Sequence, residues 1–231
     1  STLAKANDDI TLTFTASEAI GTPVVTFRSG GDAITDGSVV YRNTSGNTWT
    51  AVYTANASDT DGAVTYSIVF SDTTGNAGTA VTSGSGSVTT DTTAPTLSNV
   101  SITSDNSTST LAKANDDVTL TFTASESIST PTVTFRSGGD AITDGSVVYR
   151  NTSGNTWTAV YTANASDTDG AVTYSIAFSD TTGNAGTAVT SGSGSVTTDT
   201  TAPTLSSVSI ASDNTNTSKA KAGDDITLTF T

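Results

Sequence analysis

The stretch Val118-Thr-Leu120-Thr-Phe122-Thr-Ala124 alternates an apolar side chain with threonine for seven residues. A period of two puts Val118, Leu120, Phe122 and Ala124 on one face of an extended chain and the threonines on the other, the signature of a half-buried β-strand. The pattern recurs along the chain, in Trp157-Thr-Ala159-Val-Tyr161, Val172-Thr-Tyr174-Ser-Ile176-Ala-Phe178, Val133-Thr-Phe135, and from Leu97 through Val100 to Ile102. Clusters of Gly, Asn and Asp separate these runs, and none carries the 3.6-residue period of a helix. Short strands with turn signals every 8–12 residues predict an all-β sandwich.

The same strands occur twice. Residues 1–108 align without a gap on residues 109–216 and differ at nine positions, and "KAKAGDDITLTFT" at 219–231 opens a third copy of "LAKANDDITLTFT" at 3–15. A period of this length indicates an array of whole domains, each long enough to bury its own core. The boundaries read as 1–90, a domain lacking its first strand; 91–198, a complete domain; and 199–231, a linker with the first strands of a third. Both ends fall inside a repeat, so the chain reads as a piece of something longer. In immunoglobulin lettering, the seven strands of the complete domain are placed at 96–103 (A), 118–124 (B), 131–137 (C), 146–151 (D), 156–163 (E), 171–179 (F) and 187–198 (G).

Composition excludes several functions. The net charge is −14, and of 22 acidic residues only Glu18 and Glu126 are glutamate. Such a chain lacks the Lys and Arg that a nucleic-acid binder uses to displace counterions. It contains no Cys and no His, which removes disulfides, thiolate nucleophiles, Ser-His-Asp triads and the usual zinc ligands. Glu126 with Asp180 could imitate a glycosidase pair, but the same residues stand at Glu18 and Asp72 in the first copy, which argues for structure. No run approaches 18 apolar residues, so no membrane-spanning helix is expected. "GSGSV" at Gly84–Val88 has no helix after it to cradle a phosphate and reads as a bulged start of strand G. Arg136 and Arg150 lie near Asp140 and Asp144, an arrangement expected to give surface ion pairs of small worth. Trp157 and Tyr161 alternate with threonine and are expected in the core. The seven Asn-x-Ser/Thr sequons are of the kind a chain rich in Ser and Thr produces by chance.

The "DDITLTFTASE"-like B strands, the "TWTAVYT" E strand, "FSDTTGNAG" after F and the "DTTAP" linker together resemble tandem bacterial Ig-like domains of large surface adhesins. The resemblance spans the whole chain. It implies a long extracellular rod, often rigidified by calcium, which carries a binding domain outward; it implies no partner for these repeats themselves.

Strand direction places the acids. If A runs down, loops BC, DE and FG crown the top of a domain beside the incoming linker, and AB, CD and EF lie at the bottom beside the outgoing one. The top of the second repeat then gathers Glu126, Asn155, Asp180 and Asn184 near Asp91 of the linker; Glu18, Asp72 and Asn76 are their counterparts in the first repeat. The bottom of the first repeat holds Asp8, Asp9, Asp32, Asp36, Asp59 and Asp61. The bottom of the second holds Asp116, Asp117, Asp167 and Asp169, followed by Asp199. Carboxylates from two domains and their linker repel at close range, and Ca²⁺, which takes six to eight oxygens, suits such a junction. Plainer roles compete. "DTDG" at 167–170 is a good turn by itself, and "NDD" at 115–117 can cap a turn or discourage edge pairing. Ala94-Pro95 stiffens the linker and stops pairing from strand G.

The expectation is therefore a structural stalk: a secreted, cell-surface spacer for cell adhesion, without enzymatic activity or membrane insertion, whose partners are its neighbouring repeats. Two alternatives stand beside it. One is a surface-layer or filament subunit whose identical chains associate, including by strand exchange. The other is a carbohydrate-binding module.

Overall fold

The computed structural model describes residues 2–35, 37–143 and 145–231; Asp36 and Asp144, placed by the sequence in the CD loops, lie outside them. The first repeat contains β1 (Leu3–Ala4), β2 (Asp9–Thr15), β3 (Val24–Ser29), β4 (Asp32–Ala33), β5 (Val40–Ser45), β6 (Thr48–Thr54), β7 (Gly62–Val69) and β8 (Thr89–Thr90). The second contains β9 (Leu97–Ser104), β10 (Leu111–Ala112), β11 (Asp117–Ala124), β12 (Thr132–Ser137), β13 (Asp140–Ala141), β14 (Val148–Ser153), β15 (Thr156–Thr162), β16 (Gly170–Ala177) and β17 (Thr197–Thr198). Two strands of the third copy follow, β18 (Ser209–Ser212) and β19 (Ile226–Thr229).

The second repeat folds as two facing sheets, ordered β14-β15-β11-β9 and β10-β17-β16-β12-β13. In immunoglobulin lettering these are D-E-B-A and A′-G-F-C-C′, the division of strands that defines the Ig sandwich. Alternation along β11 drives the packing. Val118, Leu120 and Phe122 are fully buried, while Thr119 and Thr121 face outward and pair with Val160 and Thr158 of β15. Val133 and Phe135 of β12 and Ile176 of β16 complete the core from the opposite sheet. The Phe135 and Tyr161 rings meet across the sandwich with centroids 4.8 Å apart.

Two strands of two residues each went unforeseen, because so short a segment carries no periodicity. They are β10, which pairs in parallel with β17, and β13, which folds back on β12. The strand placed at 146–151 lies two residues later, at Val148–Ser153. The long G strand placed at 187–198 is a ladder only at Thr197–Thr198; upstream it touches its neighbours through single bridges, Val189 to Ile176 and Ser193 to Ser101. The second bridge gives "GSGSV" its role. Ser193 N donates to Val100 O at 2.8 Å and Ser193 O accepts from Ile102 N at 3.1 Å, so strand β9 closes the seam between the sheets. A Cβ at Gly192 or Gly194 would run into the carbonyl oxygens of Val100 and Ile102, which explains glycine on both sides of Ser193.

Among the described residues, the first repeat repeats this plan without a strand corresponding to β9. Its sheets are β2-β6-β5 and β1-β8-β7-β3-β4, and Leu12 and Phe14 are half-buried where Leu120 and Phe122 are wholly enclosed. The strands β18 and β19 form an antiparallel pair whose apolar residues lie on the surface.

Candidate metal centre at the junction of the repeats

The linker residue Asp91 extends from β8, donating its N–H to Ala4 O at 2.9 Å, and arrives over the top of the second repeat. There it meets Glu126, which follows β11, and Asp180, which follows β16. One carboxylate oxygen from each lies within 4.8 Å of the other two. Asp180 is buried to 2 % exposure. Its Oδ1 accepts from the N–H groups of Gly183 at 2.6 Å and Asn184 at 2.8 Å, and its Oδ2 from the Asn184 side-chain amide at 2.7 Å. The same Asn184 amide donates to Asp91 O at 2.7 Å, and Thr182 Oγ1 donates to Asp91 Oδ2 at 2.9 Å. Asn184 thus braces the acids through a donor.

Glu126 has no hydrogen-bond partner among the described residues. Burial raises its pKa above the usual 4.5, and the charges of Asp91, Asp180 and Asp61 push it the same way. A carboxylate without a donor or a cation beside three other acids is electrostatically unfavourable as the anion. The fit to a hard cation is direct: three carboxylates from three chain segments converge, Glu126 has both oxygens free of hydrogen bonds, and Ca²⁺ is bound through oxygens of this kind.

Most of the other acids named from the sequence are engaged elsewhere. Asp61 clamps the linker, its carboxylate accepting from Thr92 N at 2.6 Å, Thr92 Oγ1 at 2.9 Å and Thr93 Oγ1 at 2.6 Å, which holds its pKa low against the opposing effect of burial. Asp169 repeats the clamp on Thr200 and Thr201. Asp59 and Asp167, each 6 % exposed, hold the CD loop to the EF loop. Asp59 accepts from Thr35 N and Asn56 N, and Asp167 from Thr143 N and Asn164 N. Asp116 accepts from the Asn106 amide and from Lys113 N and Nζ, which brings its pKa down to about 2, the Asn106 bond contributing most. Asp8 is held by Lys5. Asp9 and Asp117 accept from Thr54 and Thr162 across the sheet. Asp72 and Asn76 close a turn on each other, Glu18 is exposed, and the Asp199 carboxylate accepts from Thr201 N. Asn155 lies at the same end but contributes its backbone carbonyl, to Ala124 N. Arg136 donates to Gly139 O and Asp140 accepts from Thr168 Oγ1. The described ion pairs are Lys5–Asp8 and Lys113–Asp116, so among the described residues neither Arg136 nor Arg150 forms the expected pair with Asp140, and Asp144 lies outside them.

Sequence reasoning missed Thr92, Thr93, Thr182 and Lys5. The signal was present: "DTT" opens both the linker and the FG loop, and each acid–threonine step nucleates a local hydrogen-bonded turn. Lys5 crosses the junction instead. Its methylenes lie against Gly183 of the second repeat, and its side chain is 38 % exposed where that of Lys113 is 69 %.

No family model matches the chain, and no curated protein matches it. Among solved structures, it is similar to an I-band fragment of titin, at 12 % identity and a TM-score of 0.45, over 87 % of this chain and 62 % of that one; the chain therefore spans less than two thirds of that fragment's length. It is also similar to the tandem Ig repeats of Dlar, at 13 % identity and a TM-score of 0.26, over 87 % of this chain and 94 % of that one. A third is the structure of the eight N-terminal Ig domains of the Down syndrome cell adhesion molecule, at 15 % identity and a TM-score of 0.35, over 82 % of this chain and 22 % of that one. The strand order derived above, and not these likenesses, makes the chain a tandem array of immunoglobulin-like β-sandwich domains.

Proposed function

We propose that this chain is a spacer: a stalk segment of an extracellular bacterial surface adhesin, whose consecutive repeats are held in line by Ca²⁺ at each junction. The observation that carries this reading is the convergence of Asp91, Glu126 and Asp180 from the linker and two loops of the following repeat, beside Asp61 of the preceding one. A cation there would neutralise charge gathered from both sides of the junction. Without it, repulsion among the acids favours any arrangement that separates them. Three carboxylates, two of them partly exposed, suit the weak end of calcium affinity, filled at the millimolar concentrations found outside cells. Ca²⁺ would bind only when the two repeats are docked, so it would stabilise the docked state by mass action, by about 2.7 kcal/mol at a hundredfold excess over Kd. Near-identical copies fit a spacer, which needs length and stiffness and no distinct site in each repeat.

The test is thermal unfolding and small-angle scattering of the chain in millimolar Ca²⁺, in Mg²⁺ and in excess chelator. Calcium should raise the Tm of the second repeat and narrow the spread of particle lengths, with Mg²⁺ much weaker because it demands compact octahedral geometry. If neither quantity responds to calcium, the junction is held by the Asp61–threonine clamp alone and the metal reading is wrong.

A further inference from the structure

The lysines of the chain are Lys5, Lys113, Lys219 and Lys221, and three of them, Lys5, Lys113 and Lys221, occupy one position of the repeat. The arginines are placed differently, on strands β3, β5, β12 and β14. Lysine is thus concentrated in the turn that follows the short strands β1 and β10, and at the junction of the first two repeats its contacts are visible.

Lys5 stands on a fixed turn. Asp8 N donates to Lys5 O at 3.1 Å and Lys5 N donates to Asp8 Oδ2 at 3.0 Å, while Asn7, in the left-handed region at φ 73°, donates its N–H to Ala55 O at 2.8 Å. The side chain leaves the first repeat from this anchored base and reaches the loop after β16. A Cβ on Gly183 would stand 3.5 Å from Lys5 Cε and 3.6 Å from Cδ, ordinary van der Waals contact. The ammonium is held loosely, 3.4 Å from Asp8 Oδ1, so the stem and not a strong ion pair makes the crossing. Lysine suits such a place, because its methylenes can lie along a surface while the charge stays in water.

The linker touches the same loop. Thr182 and Asn184, on either side of Gly183, donate to Asp91. Asp91 N is in turn bonded to Ala4 O, next to Lys5. Attachment through the linker alone leaves the second repeat free to pivot about it, and a second point of contact away from the linker removes that freedom. The Asp61 hydrogen bonds end on Thr92 and Thr93, so they hold the linker and not the domain beyond it. We infer that Lys5 is the second point of contact: a strut that sets the angle between consecutive repeats by bearing on Gly183 of the next, with or without a metal ion at the acids.

Pulsed electron spin resonance of the 231-residue chain in excess chelator tests this, and leaving calcium out keeps the result separate from the metal reading. The chain has no cysteine, so Thr26→Cys and Thr134→Cys, exposed positions on β3 and β12, accept one spin label in each repeat. The distance distribution of this labelled parent should be narrow. Lys5→Ala should widen it at least about twofold, since domains joined by a linker move relative to one another unless a contact prevents it. Lys5→Met, which keeps a long stem without the charge, should restore the narrow distribution. Lys113→Ala, the same loss of charge one repeat later, should leave it as in the parent. A parent distribution that is already broad, a Lys5→Ala distribution as narrow as the parent's, a Lys5→Met distribution as broad as that of Lys5→Ala, or equal widening by Lys113→Ala would each overturn the inference.

Discussion

The loops Ser71–Gly78 and Ser179–Gly186 have one sequence, SDTTGNAG, and two environments. In the first repeat the loop's described side-chain hydrogen bonds are to itself. Asp72 Oδ1 accepts from Thr74 N, Thr74 Oγ1 and Asn76 N, and Oδ2 from the Asn76 amide. In the second repeat a linker and a preceding domain sit over the loop. The turn around Asp180 persists, but Thr182 swings its hydroxyl to Asp91, the Asn184 amide bridges to Asp91 O, and the Lys5 stem settles on Gly183. Local sequence builds the turn in both places, because an Asp followed by small polar residues satisfies its own backbone. The neighbouring domain decides whether the turn is a surface loop or half of a binding site. Glu18 and Glu126 differ in the same way, one exposed and one held among three acids.

The comparison between repeats is most easily broken in the core. Phe122→Ala should cost the second repeat about 3–5 kcal/mol, while Phe14→Ala, at a half-buried site, should cost the first about half as much. Urea unfolding followed through Trp157 or Trp49, with the other tryptophan replaced by phenylalanine, separates the two; equal losses would mean that β9 does not seal the second core. Next in size is Glu126→Gln. In chelator it should raise the Tm of the second repeat by about 2–4 °C by removing a repelled charge, and in calcium the sign should reverse because a ligand is lost. Glu18→Gln should do neither.

Titration sharpens the same point. Glu126 has a raised folded pKa, so its unfavourable charge disappears as pH falls through that value, and the calcium-free chain should gain stability on moderate acidification toward 4.5. Glu126→Gln should abolish that rise.

A smaller effect is expected at the linker. Asp61→Ala releases Thr92 and Thr93, costs at most about 1 kcal/mol for so exposed a group, and should widen the spread of lengths in scattering. Asp169→Ala should leave this junction unchanged.

The smallest belongs to the free loop. Hydrogen bonds, first that from the Asn76 side chain, hold the Asp72 carboxyl down at about 2. A depressed carboxyl contributes stability that is complete above about pH 4 and is lost as pH falls from there toward 2. Replacement by Asn should flatten that part of the Tm–pH curve slightly, while Asp116, also at about 2, keeps the remainder.

Sequence alone determined a good deal here. Alternation in Val118–Ala124 and its companions fixed which faces are buried, since a period of two admits one inward set per strand. Strand direction by itself places Asp91, Glu126, Asp180 and Asn184 at one end of one domain. Tertiary structure decided the rest. It supplied β10 and β13, too short to have a period, and it turned "GSGSV" from an apparent irregularity into the place where β9 approaches. It also separated Asp59, Asp61, Asp167 and Asp169, bound to backbone and threonine donors, from the three acids that converge. An aspartate reads the same in sequence whichever it does, because its role depends on the donors that reach it, and those come from segments about 30 or 90 residues away.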